Sequence, residues 1–88
     1  MGRQEQGIRP PRPRIDWFGV LVEFRRRGIT DTALSAQTNI PRTTIVGYRA
    51  GAEPKHADGE RLVQLWMAET QRPREQLPMT YVPAWLSK

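Results

Sequence analysis

The sequence predicts an all-α protein, a compact bundle of four to five short helices with a flexible basic N-terminal arm and a Pro-rich C-terminal tail. Three observations carry this. Apolar residues recur at helical spacing in separate stretches between Trp17 and Trp66. Residues suited to helix starts and stops divide those stretches: Asp16, Gly28, Thr30, Asn39, Pro41, Gly51 and Pro73. At 88 residues the chain can fill one modest core, and therefore one domain.

Residues 1–14, MGRQEQGIRPPRPR, carry Pro10, Pro11 and Pro13, and Ile8 is their only apolar side chain beyond Met1. Such a segment buries too little surface to offset its ordering entropy. It is expected to be the flexible arm, with Arg3, Arg9, Arg12 and Arg14 set against Glu5. The helical domain is expected over 15–70.

The first helix is expected over 16–27. Asp16 suits the N-cap, and its charge suits the helix N-terminus. Trp17, Val20, Leu21 and Phe24 form one apolar stripe, widened by Phe18 and Val22. Arg25, Arg26 and Arg27 complement the dipole in the last turn and read as a solvated helix end, and Gly28 suits the stop.

A second helix is expected from the Thr30 cap to about Thr38, with Leu34 as its core residue and small side chains around it. Asn39 tolerates the left-handed backbone of a sharp turn, and Pro41 suits a helix start. The third helix then runs to about Ala50, with Ile45 and Tyr48 inward. A fourth is expected over 58–70, capped by Asp58, with Leu62, Val63, Leu65, Trp66 and Glu69 on its inner face. The tail, 71–88, mixes Pro73, Pro78 and Pro83 with Leu77, Met79, Tyr81, Val82, Trp85 and Leu86, and Met79 to Val82 has the character of a short extended segment.

Formal net charge is +5 and the pI is about 10.7, which marks a nucleic-acid candidate. Cysteine is absent, so disulfides and thiolate metal sites are excluded and a reducing, cytoplasmic location is expected, nucleoid-associated when DNA is bound. No apolar run is long enough to span a bilayer or to follow the basic N-terminus as a secretion signal. No Gly-rich phosphate loop and no nucleophile with an adjacent base is present, so no enzyme and no cofactor are expected. His56, Asp58 and Glu60 lie close in sequence but offer too few ligands for a metal site.

The function-bearing stretch is residues 30–51, TDTALSAQTNIPRTTIVGYRAG. Two short helices joined by a tight turn need particular residue types at particular places. Counted from Asp31, the fourth must be apolar (Leu34) and the fifth small (Ser35). The ninth must permit the turn (Asn39), and the tenth, fifteenth and eighteenth must be apolar (Ile40, Ile45, Tyr48). All are met in kind. The segment thus reads as a helix-turn-helix with Arg42, Thr43, Val46, Gly47 and Arg49 outward on the second helix.

The chain here resembles the phage-repressor, Cro-like and lambda-repressor-like helix-turn-helix family, over about Trp17 to Trp66. FRRRGIT looks like that family's helix-one exit, and IPRTTIVGYRAGAEP like its recognition helix and following loop. The resemblance implies a cytoplasmic DNA-binding regulator, often a dimer. Ser35 stands where the family prefers alanine and Asn39 where it prefers glycine, both mild replacements. The family's frequent glutamine at the head of the first motif helix has no match near Asp31.

Chemistry then assigns roles. Arg42 is expected to read a guanine edge bidentately, Thr43 to contact a base or phosphate, and Val46 a thymine methyl. Gly47 either lets the helix approach the groove floor or relieves a close contact with another helix. Thr44, Arg49 and Lys55 are expected at the DNA backbone, with Thr44 alternatively capping or packing at the helix start. Arg12 and Arg14 are expected at the backbone or in an adjacent minor groove, or else as part of a solubilising tail. The expected activity is sequence-specific, transcriptional regulation at a palindromic duplex operator, by a homodimer and without a small-molecule effector. Leu77, Tyr81, Val82 and Trp85 of the tail are the candidate dimer contact, or else they cover their own core. Two other functions fit the same pattern: marking a DNA site for recombination or packaging, and inhibition of a protein by a phage-encoded binding module.

Overall fold

The computed structural model describes residues 12–82. Within them a strand, β1 (Arg12–Ile15), leads into four helices: α1 (Trp17–Arg26), α2 (Asp31–Thr38), α3 (Arg42–Arg49) and α4 (His56–Thr70). A single 3-10 turn (Arg74–Gln76) and a second strand, β2 (Met79–Val82), follow. The architecture is mostly helical, as expected, but it is not all-α. β1 and β2 pair antiparallel, with Ile15 opposite Met79 and Arg12 opposite Val82.

β1 departs from the expected arm. Arg12, Pro13 and Arg14 fall within it, because the extended backbone that proline imposes also suits an edge strand. β2 supplies the pairing partner, and the Asp16 amide donates to the Pro78 carbonyl at 2.9 Å to close the sheet against α1. The expected extended segment Met79 to Val82 is β2 itself.

α1 starts where its cap chemistry places it: Asp16 accepts from the Gly19 amide at 3.1 Å. It ends at Arg26, and Gly28 follows with a φ of +83° that turns the chain so that the Ile29 amide reaches back to the Phe24 carbonyl. Val20, Leu21 and Phe24 are buried; Phe18, expected to widen the apolar stripe, is 57% exposed. It points away from the face that Val20 and Phe24 share.

α2 is capped by Thr30, which accepts from the Ala33 amide at 3.1 Å. Asn39 then adopts the left-handed conformation, φ 61° and ψ 29°, that turns the chain. Ile40 is buried immediately afterwards and Pro41 stands at the N-cap of α3. Thr38 is buried too, and its hydroxyl donates to the Leu34 carbonyl at 2.7 Å while accepting from the Ile40 amide.

α4 begins at His56, two residues before its expected start. Asp58 is not its cap; it lies in the first turn, where its carboxylate accepts hydrogen bonds from Tyr48 and Arg61. Leu62, Val63 and Trp66 are buried, Leu65 is partly buried, and Glu69, expected inward, is exposed.

The core joins all four helices and the tail. Leu34, Ile40, Ile45 and Tyr48 from the α2–α3 pair meet Val20, Leu21 and Phe24 of α1 and Leu62, Val63 and Trp66 of α4, and Leu77 closes one side. Arg72 stacks over the Trp66 ring at 5.0 Å and so lids the largest core side chain. Among the described residues no helix is long and apolar enough to cross a membrane.

Candidate functional site

The α2–α3 pair is held at both ends. At one end the chain itself makes the turn through Asn39, Ile40 and Pro41. At the other, Arg49 donates from both terminal nitrogens to the two carboxylate oxygens of Asp31, each at 2.8 Å. Arg25 adds a third cationic contact to the same carboxylate at 3.5 Å. The hydrogen bond from Arg49 holds the Asp31 carboxyl below its ordinary value and raises the already high value of the guanidinium. α3 is also tied to α4: the Tyr48 hydroxyl donates to Asp58 at 2.7 Å.

The inner face of α3 is therefore fixed by Ile45 and Tyr48. Its outer face is open. Arg42 and Thr43 are exposed and Val46 is 49% exposed, so the three residues expected to read bases share one solvent-facing surface. Thr44 is half-buried, at the edge of that surface. A Cβ added to Gly47 would meet nothing within 4 Å among the described residues, so none of the four helices packs closely on that glycine. The crowding explanation for Gly47 is thereby removed.

Charge sharpens the contrast. Arg42 has no carboxylate partner among the described residues. The other arginines whose side chains are described, Arg26 excepted, are each ion-paired. Lys55, just before α4, is exposed and likewise without a carboxylate partner among the described residues. Arg26, between paired Arg25 and Arg27, has no carboxylate partner among the described residues, and nothing in a run of three arginines distinguishes it from its neighbours.

Other expected site residues are placed differently. Arg49, expected at a phosphate, is occupied by Asp31, because helix packing brings the last residue of α3 against the first of α2. Arg14 is ion-paired with Glu53 in the loop after α3. Arg12 lies in β1, and Arg3 and Arg9 lie outside the described residues. Of the candidate dimer residues, Leu77 is only 6% exposed because it packs into its own core, which removes it from any surface. Tyr81 is 63% exposed, Val82 ends β2, and Trp85 lies outside the described residues.

A groove of about 730 Å³ lies between the end of α2 and the start of α4, against Gln37, Asn39, His56 and Leu65. It contains none of the residues of the outer face of α3. Among the described residues no group of three His, Cys, Asp or Glu side chains is placed to hold a metal ion. No family model, curated protein or solved structure matches the chain.

Proposed function

We propose that this protein is a sequence-specific double-stranded DNA-binding transcriptional regulator of the repressor or Cro-like kind. In this reading α2, the Asn39 turn and α3 form a helix-turn-helix, and α3 enters the major groove. The observation that carries it is the outer face of α3: Arg42 without a carboxylate partner among the described residues, beside exposed Thr43 and Val46, on a helix fixed by its opposite face. An arginine at the start of such a helix matches the N7 and O6 acceptors of guanine, and a valine matches the thymine methyl. Exposed Lys55, without a carboxylate partner among the described residues, supplies a cation for a phosphate.

A dimer on a palindromic operator would set two copies of α3 about 34 Å apart, one turn of DNA. Exposed Tyr81 supports the tail of β2 as its contact. The test is fluorescence anisotropy of labelled duplex over a salt series. Duplex binding releases condensed counterions, so affinity must fall steeply as salt rises. Binding that ignores salt, or no binding at low salt, contradicts the proposal and redirects the search to a protein partner.

A further inference from the structure

We infer that Asp31 is a positioning residue for the outer face of α3, acting through Arg49, and that Arg49 is a strut between helices and not a phosphate ligand. The inference rests on the DNA-binding reading above.

The geometry behind it is a closed frame. α3 is eight residues long, about 12 Å from end to end. Its first residue, Arg42, follows directly on the turn from α2. Its last, Arg49, is bonded to the first residue of α2. The turn holds one end of this short helix, and buried Ile45 and Tyr48 hold its inner face. A second attachment at the far end fixes its direction, and with it the heading of Arg42, Thr43 and Val46. The pair is suited to that task. The Asp31 side chain is 14% exposed and that of Arg49 24%, so water screens them less than a surface pair. Two parallel N–H donors meeting two carboxylate oxygens also fix angle as well as distance. Asp31 serves a second purpose: one carboxylate holds Arg49 and contacts Arg25, two cations that would otherwise be free for any phosphate whatever the sequence.

Two substitutions separate this role from simple destabilisation and from phosphate contact. The probes are a duplex selected by the wild type from a random-sequence pool and a scrambled duplex of equal length. Asp31→Asn removes the charge, reduces the two-pronged pairing to a single hydrogen bond to a neutral amide, and releases Arg25 and Arg49 from their ion pairs. Its affinity for the selected duplex should fall about tenfold, equivalent to about 1.4 kcal/mol, while its affinity for the scrambled duplex rises. Partial unfolding would lower both. Arg49→Gln breaks the strut without freeing Arg49, so the selected duplex should again bind about tenfold more weakly, with the salt slope unchanged. In the free protein, amide hydrogen exchange should quicken in α3 of both variants and not in α1 or α4.

If Asp31→Asn keeps the wild-type ratio of affinities for the selected and scrambled duplexes, the strut does not set the heading of α3; if Arg49→Gln lowers the salt slope by about one, Arg49 is a phosphate ligand; either result overturns the inference. Unchanged exchange in α3 overturns it as well, whatever happens on DNA. If the wild type binds neither duplex, the DNA-binding reading itself fails and takes this role for Asp31 with it, even where the exchange result shows the strut to be real.

Discussion

Tyr48 on α3 donates its hydroxyl to Asp58 on α4 across 2.7 Å, and this bond joins the inner face of the candidate reading helix to the longest helix of the fold. The ring is 6% exposed, so the hydroxyl reaches its acceptor from within the core edge. Tyr48→Phe keeps the packing and deletes the bond. Asp58 remains partly solvated and keeps Arg61, so the loss should be about 1 kcal/mol and not the full penalty of a stranded charge. Urea denaturation of the two proteins measures it. Burial first, and then the bond to Asp58, raise the Tyr48 hydroxyl above its ordinary value. A raised folded value means that this stability is fully present below the unfolded value, about pH 10, and is lost as pH rises through the folded one. The phenylalanine variant should lack that alkaline loss.

Gly47 offers a clean separation of stability from function. Its position is helical and open, so Gly47→Ala should stabilise the fold by about 1 kcal/mol through helix propensity alone. If α3 lies against the floor of a groove, the added methyl should at the same time weaken duplex binding. Thermal denaturation and anisotropy on the same preparation read the two effects. A variant that is more stable and binds as well as wild type would remove Gly47 from the DNA surface.

The Asp31–Arg49 pair should give the fold an acid-sensitive component. The hydrogen bond from Arg49 lowers the folded value of Asp31. A lowered folded value means that the contribution is present above the unfolded value, about pH 4, and is lost as pH falls through the folded one. Wild type should therefore lose stability below about pH 4 more steeply than Asp31→Asn. Chemical denaturation at a series of acid pH values measures the difference, and parallel curves would show that the pair adds nothing.

Much of the helical frame is legible in the sequence because local chemistry decides it. Asp16 and Thr30 cap the helices they precede, and Asn39 adopts the left-handed turn its side chain tolerates. The spacing of Leu34, Ile40, Ile45 and Tyr48 places all four in the core. Misplacements arise where a distant partner overrides the local pattern. Asp58 has the right residue type for a cap, but α4 starts two residues earlier, and Tyr48 and Arg61 hold its carboxylate. Proline and arginine at 12–14 read as unfolded, since nothing local reveals that β2 pairs with them. Arg49 reads as a free cation because its partner lies eighteen residues away, at no helical spacing. Free and paired arginines look alike in a sequence, and only packing tells them apart.

The proposal that α3 reads DNA stands or falls on Arg42, the exposed arginine at its start. The decisive measurement is the affinity of wild type and Arg42→Ala for two duplexes, one selected by the wild type from a random pool and one scrambled. Base reading by Arg42 requires a loss of about 1–3 kcal/mol on the selected duplex and a much smaller loss on the scrambled one. Equal losses on both would reduce Arg42 to a phosphate contact. A selected duplex that binds no better than a scrambled one would contradict sequence-specific recognition altogether.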